Sequence, residues 1–301
     1  MRLFRTLFRA MASEHELLLW SDDEVGATRA AAAAIADVHR IEAKYTRYRD
    51  DSLTTRINRA AGGAAVAIDA ETAALLAYAD ECHRLSGGRF DLTSGVLRRV
   101  WDFRQTPPKL PDAGAIAAAT ALVGWNRFER DERAVRLPEP GMEIDFGGIG
   151  KEYAADRAAT VCAEHGIRHG LVNLGGDVRA LGPQPDGAPW RVGIQHPRRE
   201  HTTIATVLLE SGAVATSGDY QRYFEIAGER YCHILDPRSG CPVAHWQSVS
   251  VLAPLCVVAG SCATIAMLMG RDAESFLHEQ GLRHVAVDAD GTLHGTAAQG
   301  T

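Results

Sequence analysis

The amino-acid sequence predicts an α+β fold, one compact unit over residues 1–301 with a mixed or antiparallel sheet and flanking helices. Three observations predict it. Strand-like segments concentrate after residue 170, whereas long helical patterns dominate before it. The alternation of the two is too irregular for a doubly wound parallel sheet. No internal repeat or long linker divides the 301 residues, and a chain of this length can bury a substantial core.

Each element has a local reason. Glu16–Trp20 is an apolar run that reads as a first strand. Residues 27–45 are alanine-rich, with apolar spacing near the helical period, and predict a long helix. Residues 72–85 predict a second helix that stops at Gly87-Gly88. Pro111-Asp112 is a start signal, so a third helix is expected over 109–123. Ala134–Leu137 alternates like a strand and leads through Pro140-Gly141 into a glycine cluster, after which a helix runs over about 151–166. Strands are then expected at 170–173, 190–195, 204–209, 223–226 and 248–253. A short apolar helix over 259–269 follows, and a closing hairpin is expected around Asp290-Gly291.

Bulk properties narrow the function. Hydrophobic residues make up 46% and charged residues 23%, ordinary for a soluble globular protein. A net charge of −6 lacks the basic surplus of a nucleic-acid binder. The six cysteines form no C-x-x-C pair, so they signal neither a zinc site nor a redox motif, and inert thiols in a reducing compartment are expected. His165 and His169 have H-x-x-x-H spacing, but Gly166 between them is expected to end the helix. The segment Met1–Arg9 alternates arginine with apolar residues and lacks the apolar run of a secretory leader. No lipobox-like cysteine follows it, and no apolar run approaches a membrane span. A cytoplasmic protein without a membrane span is expected.

The most informative stretch is Ile144-Asp145-Phe146-Gly147-Gly148-Ile149-Gly150-Lys151. Its glycines allow close backbone approach to a ligand, the following helix start favours an anion, and Lys151 is a point charge suited to phosphate. It fails the P-loop pattern, because Asp145 stands where the first glycine belongs and Glu152 replaces the Ser/Thr. Further motifs are Leu171–Arg179 (LVNLGGDVR), Ala215–Tyr220 (ATSGDY) and His233–Pro242 (HILDPRSGCP). Ala10-Met11-Ala12-Ser13, Arg47–Ser52 with Asn58, and Gly87–Thr93 with Trp101 complete the set. In order and separation these resemble the ApbE family of FAD:protein FMN transferases, with its A-M-G-T, Y-x-x-D-S…N and G-G-x-F-D-x-T…W segments.

The resemblance implies an ApbE-like catalytic unit that moves FMN from FAD to a Thr or Ser hydroxyl of a target flavoprotein and releases AMP. It implies FAD as substrate and Mg²⁺ as metal. It implies FAD contacts at Met11, Tyr48, Arg89, Phe90, Asp91, Asp145, Lys151, Ser217, Gly218, His233 and Ile234, and metal contacts at Gly148 and Thr264. His233, Asp236 and Lys151 are the candidates for catalysis, since a histidine beside an Asp-Pro turn is where a rigid scaffold presents functional groups. Thr216, Ser217 and Gly218 are expected as a phosphate-binding turn. The partner implied is a flavoprotein bearing D-x-x-(S/T)-G-(A/S)-T. The chain's own Asp290–Thr296 has Leu293 at the acceptor position, so self-modification there is not expected.

One motif departs from the pattern. Where the family carries A-D-x-x-x-T, with Asp and Thr one helical turn apart on one face, this chain reads Ala259-Gly260-Ser261-Cys262-Ala263-Thr264. Gly260 removes the strongest oxygen ligand. Three consequences are open: another acid, such as Asp145 or Asp219, supplies the charge; FAD phosphates, Thr264 and the Gly148 carbonyl hold a weaker metal; or catalysis is metal-poor or lost. The alternative functions are accordingly an FAD pyrophosphatase yielding FMN and AMP, and a non-catalytic FAD-binding protein.

Overall fold

A computed structural model describes residues 1–296. The described residues form seven α-helices: α1 Glu24–Tyr45, α2 Leu53–Arg59, α3 Ala70–Leu85, α4 Ala113–Ala121, α5 Gly150–Glu164, α6 Cys256–Met269 and α7 Ala273–Glu279. Aspartates begin the first, third and fourth. The side chains of Asp23, Asp69 and Asp112 accept backbone N–H groups of the first turn, satisfying donors that have no partner within the helix.

Eight strands form the central sheet in the order Arg2–Ala10, Ser13–Ser21, His169–Leu174, Asp177–Gly182, Gly212–Gly218, Trp246–Ala253, Arg283–Asp288 and Leu293–Gly295. Every neighbouring pair is antiparallel. Side-chain alternation divides the sheet between two cores. Ala213, Ala215, Val249 and Val251 belong to the large core that holds the buried faces of α1, α5 and α6. Val178, Ala180, Val214, Leu252 and Val285 point the other way, onto a hairpin of Trp190–Gln195 and Thr203–Leu209. Covered on both faces, Trp246–Ala253 is buried at every position.

The structure departs from the sequence expectations in several places. Arg2–Ala10 is an edge strand paired along its length with Ser13–Ser21, and its arginine/apolar alternation is a strand period. Thr216-Ser217-Gly218 is the end of a sheet strand rather than a turn. Helices α2 and α7 and the strand Asp177–Gly182 were not anticipated. Five cysteines are buried, but Cys241 is exposed. The Cys256–Glu279 stretch is long and apolar enough for a membrane span by composition. It is the buried core helix α6, interrupted at Gly270, followed by α7.

Candidate active site

A cavity of about 1220 Å³ opens between the Met11-Ala12 hairpin tip, the Phe146–Gly148 turn, the start of α5 and the end of the Gly212–Gly218 strand. It exceeds the usual small-molecule range of about 300–1,000 Å³ and has room for a dinucleotide. Met11, Tyr48, Arg89, Phe90, Asp91, Asp145, Gly148, Lys151, Ser217, Gly218, His233, Ile234 and Thr264 all line it. Segments as far apart as residues 11 and 264 are thus brought to one wall. Beside the mouth lies a second hollow of about 420 Å³, which shares Arg47, Tyr48, Arg98, Arg104 and Arg222 with the first.

The glycine stretch does two things. Asp145 Oδ1 accepts the Gly147 N–H at 2.8 Å and so caps the short turn, while its Oδ2 pairs with Arg98 at 3.1 Å and Arg47 at 3.3 Å. A Cβ at Gly148 would meet Phe90 Cζ at 3.2 Å, so glycine lets the turn rest on that ring. Lys151, in the first turn of α5, lies 2.8 Å from Asp177 Oδ2. Burial alone would lower the Lys151 pKa, but Asp177 and Glu152 outweigh it, and the net shift is upward. Lys151 is therefore a fixed cation at the cavity wall.

Several expected residues prove to be committed to the scaffold. The Asp91 carboxylate accepts the Thr93 N–H at 2.7 Å, the Thr93 hydroxyl at 2.6 Å and the Trp125 N–H at 3.2 Å. Its role is to cap the Leu92–Arg99 helical turn. Asp236 lies outside the cavity wall. Its carboxylate accepts the Arg238 N–H at 2.9 Å, and its backbone closes the loop through Cys241 and Gly240. In this geometry the Asp236 carboxylate shapes the loop that follows His233. Trp101 fixes the same loop by donating its indole N–H to the Gly240 carbonyl at 2.7 Å.

His233 follows the Glu229–Cys232 strand and is half-buried, with part of its ring open to the cavity. Nδ1 lies 3.2 Å from the Arg222 carbonyl. A carbonyl only accepts, so Nδ1 carries the proton and Nε2 is left as an acceptor. Crowding by protein, then the charges of Arg98 and Arg222, lower its pKa to about 4. Tyr48 stands at the mouth, 67% exposed, with the Arg104 guanidinium over its ring, a flat surface on which another ring can stack. The Ser217 and Thr264 hydroxyls are hydrogen-bonded at 2.8 Å, which joins the sheet to α6.

Sequence reasoning missed two features of the wall. The arginines at positions 98, 104 and 222 make the mouth basic within an acidic chain; no motif announced them. Glu152, next to Lys151, is 8% exposed, and its Oε2 has no hydrogen-bond partner among the described residues. Desolvation first, and then the nearby Asp177 carboxylate, raise its pKa. Of the acids proposed to replace the one missing at Gly260, Asp145 is committed to Arg47 and Arg98. Asp219 is bound by Arg198 through two contacts of 2.6 Å, away from the cavity.

Comparison with known proteins agrees with this arrangement. The sequence profile of the ApbE family matches residues 11–294. An FAD:protein FMN transferase of Klebsiella pneumoniae (strain 342) is 31% identical over 277 residues, covering 87% of this chain and 79% of its own. The crystal structure of an ApbE protein from Thermotoga maritima superposes with a TM-score of 0.90 at 31% identity, covering 98% of this chain and 97% of that one. The apo flavinyl transferase ApbE of Pseudomonas stutzeri gives a TM-score of 0.85 at 28% identity, covering 99% and 95%. With its motifs gathered on one cavity and both sequence and fold matched along nearly the whole length, this chain belongs to the ApbE family.

Proposed function

We propose that the chain transfers FMN from FAD to a Thr or Ser hydroxyl of a target flavoprotein, releasing AMP. The observation that carries this reading is the dinucleotide-sized cavity on which the family's motif residues converge. The basic mouth suits a diphosphate. Lys151, kept cationic by Asp177, is placed to hold the phosphoryl oxygens as charge shifts between them. Tyr48 offers a stacking surface at the entrance.

His233 is assigned as the proton acceptor. With Nδ1 tied to the Arg222 carbonyl, Nε2 is free to take the acceptor hydroxyl's proton. The hydroxyl oxygen then bonds to the flavin-side phosphorus, the bond from that phosphorus to the bridging oxygen breaks, and AMP leaves with that oxygen. The acceptor keeps a phosphoester-linked FMN.

A divalent cation such as Mg²⁺ fits the donors here. The Gly148 carbonyl and the Thr264 hydroxyl stand on cavity-lining residues, as does Glu152, whose Oε2 is buried without a partner among the described residues. Such a set is all oxygen, as hard cations require. When bound, the cation offsets phosphoryl charge.

The test is an incubation with FAD, Mg²⁺ and a flavoprotein domain bearing D-x-x-(S/T)-G-(A/S)-T. Intact mass follows the acceptor and chromatography follows AMP. An FMN adduct supports transfer, whereas AMP with an unlabelled acceptor indicates hydrolysis of FAD.

A further inference from the structure

Gly260 is the position at which the sequence lost its expected metal-binding acid, and the structure shows what fills the space. A Cβ built on Gly260 would meet Glu152 Cγ at 2.4 Å, Cδ at 3.0 Å and Oε1 at 3.1 Å. The Glu152 side chain, arriving from α5, lies directly over position 260 of α6. Thr264 follows one helical turn later on the same face, and its hydroxyl is held 2.8 Å from Ser217 at the cavity wall. The carboxylate removed from α6 thus has a counterpart delivered by the neighbouring helix.

We infer that Glu152 is the anionic metal ligand of this protein, replacing across the α5–α6 contact the aspartate absent at position 260. The inference deepens the proposed transfer reaction and rests on that reading for the cation's use. Two independent observations carry it. The first is steric: with Glu152 placed as it is, a side chain at position 260 would force the glutamate out of this volume. The second is the unmet bonding capacity of Glu152. Its Oε2 is buried without a partner, a costly state that a bound cation relieves. Of the other nearby acids, Asp145 pairs with Arg47 and Arg98, and Asp177, whose Oδ2 faces Lys151 at 2.8 Å, is not part of the cavity lining. Glu152, Thr264 and Gly148 are all residues of the cavity lining.

The experiment is a Mn²⁺ titration followed by electron paramagnetic resonance, with and without FAD. It uses the parent chain, Glu152→Gln, Glu152→Gly, Gly260→Asp and the double variant Glu152→Gly/Gly260→Asp. Circular dichroism melts and flavin fluorescence are recorded on the same samples. The expected result is that Glu152→Gln keeps its fold but weakens Mn²⁺ at least about tenfold, as loss of a charged ligand should. Gly260→Asp alone lowers Tm through the clash. The double variant recovers Tm relative to Gly260→Asp and binds Mn²⁺ at least about tenfold more tightly than Glu152→Gly. Unchanged Mn²⁺ affinity in Glu152→Gln, no Mn²⁺ binding by the parent, or a double variant no tighter than Glu152→Gly would overturn the inference. Failure of the proposed function shows differently: the parent would bind no FAD or leave the acceptor unlabelled, while the FAD-free titration stays readable.

Discussion

Met11 and Ala12, at the tip of the first hairpin, hold left-handed φ angles of 49° and 63°. The two-residue turn between Ala10 and Ser13 demands this. It presents Met11 to the cavity, and Glu42 accepts the Met11 N–H at 2.6 Å. The motif this tip resembles has glycine at the position of Ala12, and a left-handed alanine costs about 1 kcal/mol. Ala12→Gly is therefore expected to raise stability by about 1 kcal/mol, measured by chemical denaturation, with no loss of FAD affinity. At His233 the expectation concerns pH. An ordinary histidine would protonate near 6.5, but this one is held neutral down to about pH 4. Between those values the unfolded chain binds the extra proton, so this residue's contribution to stability falls as pH falls through that window. If His233 accepts the proton, the acid limb of FMN transfer should lie near pH 4 rather than 6.5; a limb near 6.5 traced to His233 would contradict the lowered pKa. His233 was legible because an unusual motif surrounds it. Glu152 was not, because its surroundings are set by Gly260, 108 positions along the chain (260 − 152).

The helices that carry the site are joined end to side. Helix α6 has no side-chain cap of its own. Asp156 of α5 supplies one, accepting the Cys256 N–H at 2.8 Å and the Val257 N–H at 2.9 Å. Arg179 from the sheet pairs with the same carboxylate at 3.1 Å. Lys151 and Glu152 on α5 are thereby held in register with Gly260 and Thr264 on α6. Asp156→Ala should cost about 2–3 kcal/mol, combining a lost cap with bonds to a charged group. The loss should appear as a lower denaturation midpoint at unchanged slope, and a change below about 0.5 kcal/mol would show that the clamp is not needed. Elements with a local signal are legible: α1 and α3 through alanine-rich runs with apolar spacing near the helical period, and α4 through Pro111-Asp112, while their starts differ from the expected ones by two to four residues. The strand Gly212–Gly218 was partly hidden because its Thr-Ser-Gly end has turn-like composition. Its extended form comes from neighbours on both sides, a tertiary effect that local propensity does not carry. The start of α6 was set too late for the same reason, since its cap comes from another helix.

At the scale of the molecule, the antiparallel sheet is a platform with a dry face on each side. Helices cover one face and the Trp190–Leu209 hairpin the other. The α+β class was legible from irregular alternation and a strand-rich second half, whereas strand order was not, because pairing depends on contacts distant in sequence. The cavity lies where the end of the Gly212–Gly218 strand, the α5 start and the segments bearing Arg47, Arg98, Arg104 and Arg222 meet. It is therefore a property of the complete fold and of no single motif. If the proposed reaction is right, this one cavity couples FAD cleavage to labelling of a protein hydroxyl. The most direct measurement is the ratio of FMN bound covalently to the acceptor to AMP released, for the parent chain and for Lys151→Met. The expected result is a ratio near one for the parent and loss of both products together in the variant. AMP in excess over bound FMN with a competent acceptor, or undiminished transfer by Lys151→Met, would contradict it.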